Sequence, residues 1–154
     1  MLDKDTKKQI KLIAPCGMNC AVCSSYLVYK NGLKEKGIKM PSCIGCRPRG
    51  KECSFIKKRC SLLLNHKVKY CYKCPKFPCV NLQKIDKRYQ ENYRTSFIAN
   101  QEYLKEHGEE KFLHKEHRKW KCAKCGELKC CHNGLCYKCD VKKLVRKKKK
   151  FSWD

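Results

Sequence analysis

Residues 121–140 read KCAKCGELKCCHNGLCYKCD, and the spacing of four cysteines within this stretch decides how the chain is held together. Cys122 and Cys125 form one C-x2-C pair, Cys136 and Cys139 form a second, and ten residues separate the two. Two thiolates three positions apart aim at one ion from a tight turn, with Zn–S bonds of about 2.3 Å, and two such knuckles close a tetrahedron. Gly126 after the first knuckle and Asn133-Gly134 before the second supply the turns. The stretch therefore predicts a zinc ribbon with Cys122, Cys125, Cys136 and Cys139 as ligands. Iron in a rubredoxin-like version is the alternative, because four thiolates accept either metal. Cys130 and Cys131 fall on an expected strand, where one side chain at most faces the metal, and they read as spectators. His132 is near enough to replace a ligand, but reads as a surface residue.

Working outward, the chain holds 16 cysteines in 154 residues, and ten of them lie between Ala14 and Cys79. Composition of this kind means a disulfide scaffold or a metal scaffold. Three further C-x2-C pairs, Cys20/Cys23, Cys43/Cys46 and Cys71/Cys74, argue for metal. The preferred grouping joins Cys20, Cys23, Cys43 and Cys46 in one tetrahedral site. Cys60, or Cys53 in its place, joins Cys71, Cys74 and Cys79 in another. Cys16 is the expected spare, or a further thiol beside the first site. Cys16-x3-Cys20-x2-Cys23 also matches the spacing of radical S-adenosylmethionine enzymes. Those enzymes need a large α/β barrel, for which so cysteine-dense a half leaves no room. An iron–sulfur cluster completed by a fourth local cysteine stays open. Two to three zinc ions are expected in all.

The charge is the second anomaly. Lys and Arg number 38 against 14 Asp and Glu, a formal net charge of +24. Three tetrathiolate zinc sites would lower this only to roughly +18, at about −2 each. Self-repulsion on that scale disfavours compaction, so a polyanionic partner is the natural reading. In the segment from Lys142 to Lys150, Lys142, Lys143, Arg146, Lys147, Lys148, Lys149 and Lys150 are basic, and these are the candidate phosphate contacts. Phe151 and Trp153 beyond them are candidates for stacking on unpaired bases. Met1 to Lys11 lacks the apolar run of a secretory signal, and no stretch reaches the ~20 apolar residues of a membrane span. A reduced, cytoplasmic protein is expected.

The organisation follows from these features. Residues 1–12 read as a basic N-terminal arm, 13–80 as a cysteine-rich metal-binding domain, 81–119 as a helical segment, 120–140 as the zinc ribbon and 141–154 as a basic tail. Ala21 to Lys30 predicts a short helix stopped by Asn31-Gly32. Cys53 to Asn65 predicts another. Apolar residues recur at helical spacing through Leu82, Ile85, Tyr89, Tyr93 and Phe97, with a break at Gly108. The stripe of Tyr89, Tyr93, Phe97 and Tyr103 reads as core. His114 and His117 share a helix face and read as solvated. The fold class expected is a small metal-stabilised α+β protein: a zinc-knuckle N-terminal half, a short helical middle and a C-terminal ribbon. No carboxylate pair, nucleophile elbow or phosphate-binding glycine loop stands out, so no catalytic residue and no enzyme activity are expected.

Several segments resemble a family of small cysteine-rich bacterial and archaeal proteins known only as a domain of unknown function. They are APCGMNCAVCSSYL (14–27), SCIGCR (42–47), YCYKCPKFPC (70–79), EHGEEKFLHKEHRKWKCAKCG (106–126) and HNGLCYKCD (132–140). The resemblance implies a cytosolic metal-binding protein with a zinc-ribbon-like C-terminal segment, and brings no activity with it. The very high charge and basic tail are additions to the family pattern. The cysteine pattern and the charge, by analogy with ribosome-associated proteins that combine zinc ribbons with basic extensions, lead to the expectation of a zinc-stabilised scaffold whose Lys and Arg side chains hold RNA, or ribosomal RNA in the ribosome. An iron–sulfur or redox protein, or a metal-handling protein, is the alternative.

Overall fold

The computed structural model describes residues 2–49, 60 and 68–153. The helix expected over Cys53 to Asn65, and Cys53 itself, lie outside the described residues. The described part is mostly helical. Its α-helices are α1 (Lys4–Ile10), α2 (Ser24–Lys30), α3 (Cys46–Arg49), α4 (Val80–Tyr93), α5 (Phe97–His107), α6 (Glu109–Trp120) and α7 (Val141–Arg146), with 3-10 turns at Cys20–Val22 and Cys71–Lys73.

The expected α+β class is therefore corrected. Among the described residues, β pairing is limited to two isolated antiparallel bridges, Ile13 with Asn19 and Lys121 with Leu128. The backbone bonding of the ribbon explains why no ladder grows. Lys129 N–H donates to Trp120 O, Cys130 N–H to Leu135 O and Cys131 N–H to Val22 O. Alternate residues of a strand must donate to the same neighbour, and here Lys129 and Cys131 donate to two different segments.

Local chemistry sets the helix limits. Asp3 caps α1, accepting from Thr6 N–H at 2.7 Å, so the expected arm starts with a helix. It ends in the core, where Leu12 is buried. The helix expected from Ala21 begins at Ser24, because Cys23 is extended and the preceding turn is 3-10. The helical middle divides into α4, α5 and α6. Arg94 in the left-handed region ends α4, Ser96 caps α5 through Ala99 N–H, and Gly108 separates α5 from α6. The apolar stripe of α4 and α5 faces inward as expected: Tyr93 and Phe97 are buried, and Tyr89 packs on the same core.

Helix α5 then fixes the cysteine-rich half. Asn100 Nδ2 donates to Gly17 O at 2.8 Å, and Gln101 Nε2 donates to Pro15 O at 2.8 Å. These bonds clamp the CGMNC loop against the helix. Gly17 is required there: its φ is +97°, and a Cβ would lie 2.8 Å from Phe97 O. Gln101 Oε1 also accepts from Tyr72 N–H at 2.9 Å, tying the loop to the second cysteine turn. Arg47 crosses to Ile13 O at 2.7 Å, and Tyr70 hydroxyl donates to Glu109 at 2.8 Å. The N-terminal half thus rests on the α5–α6 pair, and one core contains Cys16, Cys20, Cys46, Phe97, Trp120 and Cys131.

Candidate metal centre

The ribbon cysteines are positioned by two similar turns. Gly126 N–H donates to Cys122 O at 2.9 Å, and Asp140 N–H donates to Cys136 O at 2.8 Å. The first turn is closed by Cys122 N–H to Glu127 O at 2.7 Å, beside the Lys121–Leu128 bridge. The second is braced by Asp140, whose carboxylate accepts from Cys136 N–H at 3.0 Å. Glu127 pairs with Lys30 at 2.8 Å, which pins the first knuckle to α2.

These turns bring the Sγ atoms of Cys122, Cys125, Cys136 and Cys139 all within 4.8 Å of one another. Cys125 Sγ and Cys136 Sγ are 3.6 Å apart. A tetrahedron of 2.3 Å Zn–S bonds has edges of about 3.8 Å, so the quartet is spaced to hold a zinc-sized ion. The electrostatics agree. Backbone N–H groups of Cys125 and Lys124 bring Cys122 down to about 7, so a thiolate forms readily there. Burial pushes Cys136 up, and hydrogen bonding to Cys125 pushes Cys139 up. One anion in a packed thiol quartet opposes the next, and a dication removes that opposition. Cys139 N–H lies 3.5 Å from Cys136 Sγ, a donor placed for a metal-bound thiolate.

Cys130 and Cys131 stand outside this group, as the spacing predicted. Both are fully buried, and burial pushes both thiols up, Cys130 to about 11. His132 is a correction. It is buried, not at the surface. Its Nδ1 accepts from Ser24 N–H at 3.3 Å, and its Nε2 lies 2.9 Å from Tyr89 Oη. The accepting Nδ1 places the proton on Nε2, which donates to Tyr89. Burial, reinforced by the charge of Arg88, brings His132 down to about 4. It is a neutral strut between the ribbon, α2 and α4. His114 and His117 are exposed on α6, as expected.

The N-terminal cysteines are arranged differently. Cys16, Cys20 and Cys46 are buried in the main core, with Cys23, Cys60 and Cys71 packed against it. Cys43 and Cys74 are half-buried, and Cys79 is exposed. Three of these sulfurs accept a backbone N–H at 3.4 Å: Cys43 from Gly45, Cys74 from Lys76 and Cys79 from Leu82. Among the described residues, the ribbon quartet is the group of three or more such side chains whose ligand atoms all come within 4.8 Å. The structure does not bring Cys20, Cys23, Cys43 and Cys46, or Cys60, Cys71, Cys74 and Cys79, to that spacing.

The basic C-terminal segment is folded back rather than extended. Lys142, Lys143, Arg146, Lys148 and Lys149 are exposed on and after α7, and Lys147 is half-buried. Lys150 turns inward, its Nζ donating to Leu144 O and Val145 O at the end of α7. Trp153 is anchored: its indole N–H donates to Cys131 O at 2.8 Å, and Arg94 covers its ring at 3.9 Å. Sequence reasoning missed both anchors, because their partners lie far away along the chain.

Residues 12–84 match the family model DUF3795, described as a protein of unknown function. The match contains the CGMNC loop, the SCIGCR turn and the YCYKCPKFPC segment, and ends within α4. The ribbon and the segment before it lie beyond the match. No curated protein and no solved structure matches the chain.

Proposed function

We propose that this chain is a zinc-binding, strongly basic cytoplasmic protein that binds RNA, free or within the ribosome, through Lys and Arg side chains on a metal-stabilised scaffold. The observation that carries the reading is the pairing of a preformed thiol quartet with an excess of 24 positive charges. The quartet supplies rigidity. The charge supplies affinity for phosphates through counterion release. Lys142, Lys143, Arg146, Lys148 and Lys149 are the principal contacts. Lys147 adds to them, and Lys150 contributes less because its ammonium caps α7. Lysine carries a point charge without directional code, so this contact is nearly blind to sequence.

The N-terminal cysteines supply one or two further metal sites in this reading, with Cys20, Cys23, Cys43 and Cys46 in one and Cys60, Cys71, Cys74 and Cys79 in the other. Backbone N–H groups already donate to the sulfurs of Cys43, Cys74 and Cys79, the kind of contact that orients a metal ligand. The second reading, an iron–sulfur or redox protein, draws on Cys16, Cys20 and Cys46 meeting in one core beside Cys23, Cys60 and Cys71. Clusters absorb visible light and zinc thiolates do not.

The test replaces Lys142, Lys143, Arg146, Lys148 and Lys149 with Gln and measures RNA binding over a salt series. Each lost phosphate contact on a single strand flattens the log–log slope by about 0.7. Loss of affinity with a slope reduced by about 2 to 3.5 supports the reading. A wild-type protein that binds no RNA at physiological salt refutes it.

A further inference from the structure

We infer that Arg94 and Lys119, gathered at Trp153 beside the exposed ring of Phe151, form a binding surface for single-stranded RNA that is distinct from the lysines of α7. This inference rests on the RNA-binding reading above and deepens it, by naming the strand state bound and a second set of contacts.

The two cations come from two helices: Arg94 ends α4, and Lys119 sits in the last turn of α6. Arg94 stacks on Trp153 with its guanidinium carbon 3.9 Å from the ring centroid. Lys119 Nζ donates to Arg94 O at 2.6 Å and lies 5.0 Å over Trp120, whose ring centroid is 6.2 Å from that of Trp153. The indole N–H of Trp153 donates to Cys131 O, and the next residue, His132, meets the Phe151 ring edge to face at 5.6 Å, so the two aromatic rings seat on adjacent residues. Two cations therefore border Trp153, with Phe151 beside it.

Both cationic side chains are exposed, and neither belongs to an ion pair found among the described residues. Like charges held together at a surface repel, and a polyanion relieves the repulsion. The rings make this more than a solvated basic patch. Trp153 is locked by its bond to Cys131 O and by contact with Gly134, where a Cβ would lie 2.4 Å from the indole. Phe151, two residues before this anchor, is held at the surface with 45% of its area exposed. An exposed ring beside anchored cations is what an unpaired base stacks on while its phosphates meet the charges. A duplex offers no unstacked base to such a ring, so the surface selects single strands.

The experiment uses the full-length zinc-loaded chain and a short fluorescein-labelled oligouridine, read by anisotropy across a salt series. An R94Q/K119Q variant is expected to bind at least tenfold more weakly at low salt, with the slope flattened by about 1.4. F151A is expected to weaken oligouridine binding about tenfold with the slope unchanged, and to leave binding of a blunt-ended RNA duplex without a loop unaltered. K119Q alone, on an exposed position of α6, guards against misfolding: it is expected to flatten the slope by about 0.7. If all three variants bind oligouridine as wild type while the α7 variant loses binding, this surface is refuted and the RNA reading stands. If F151A weakens duplex binding as much as single-strand binding, the preference for single strands is refuted. If wild type binds no RNA, both the surface and the reading fall.

Discussion

His132 Nδ1 accepts a hydrogen bond from the backbone N–H of Ser24, 3.3 Å away and 108 positions earlier in the chain. This bond joins the ribbon to the first turn of α2. The same ring donates from Nε2 to Tyr89 on α4. One imidazole therefore ties the cysteine-rich half, the helical middle and the ribbon together.

Stability consequently depends on the charge of His132. Its folded-state value is about 4, below the ordinary 6.5, because burial disfavours the cation. The unfolded chain binds a proton between these values and the folded chain does not. The contribution is full above pH 6.5 and is lost as pH falls through 4, on the order of 3 kcal/mol in total. Replacing His132 with Gln removes this part of the acid sensitivity. Urea midpoints of wild type and H132Q from pH 7 to pH 4 check it: the wild-type curve should fall more steeply across this window, and parallel curves would count against the assignment.

Cys131 tests the boundary of the metal site. It lies beside the four-cysteine group in sequence but outside it in space. Cys131→Ser should keep the full metal content and cost roughly 1–3 kcal/mol through burial of a hydroxyl. Cys125→Ser should lose one equivalent of zinc. Metal analysis of both variants, with cobalt absorption as a second readout, separates the two roles.

Gly134 sets the seat of Trp153. Its φ is +74°, and Trp153 ring atoms occupy the space a Cβ would take. Gly134→Ala should displace the indole, remove its bond to Cys131 O and destabilise the protein by about 1–3 kcal/mol. Tryptophan emission should shift to longer wavelength, as Trp153 moves into water while Trp120 stays buried. Unchanged emission with unchanged stability would contradict the seating described.

Much of this arrangement is legible in the sequence where it is local. The quartet follows from the C-x2-C spacing, and the turns at Gly126 and Gly134 agree with it. Helices α4 to α6 follow from the period of Leu82, Ile85, Tyr89 and Tyr93, and from the break at Gly108. What depends on distant partners is not legible. Nothing near His132 announces Ser24 or Tyr89, so it reads as a surface residue. Lys150 and Trp153 look like tail residues until the segment turns back on the ribbon. The expected strands fail for the same reason, since the backbone donors of residues 129–131 are taken by Trp120, Leu135 and Val22.

Metal removal should unfold the chain. The knuckle turns bury little apolar surface against a backbone entropy cost of ~1–2 kcal/mol per ordered residue. A structural zinc site supplies on the order of 10 kcal/mol. Treatment with a strong chelator should collapse the helical circular dichroism signal, and readdition of zinc should restore it.

The most direct test of the central claim is elemental analysis of the full-length protein, purified without oxygen or chelator, together with its visible absorption spectrum. The account predicts two to three equivalents of zinc, no visible absorption, and the loss of one equivalent when Cys122 and Cys139 are both replaced by Ser. A folded protein without metal, or an iron-containing one with visible absorption, would contradict it.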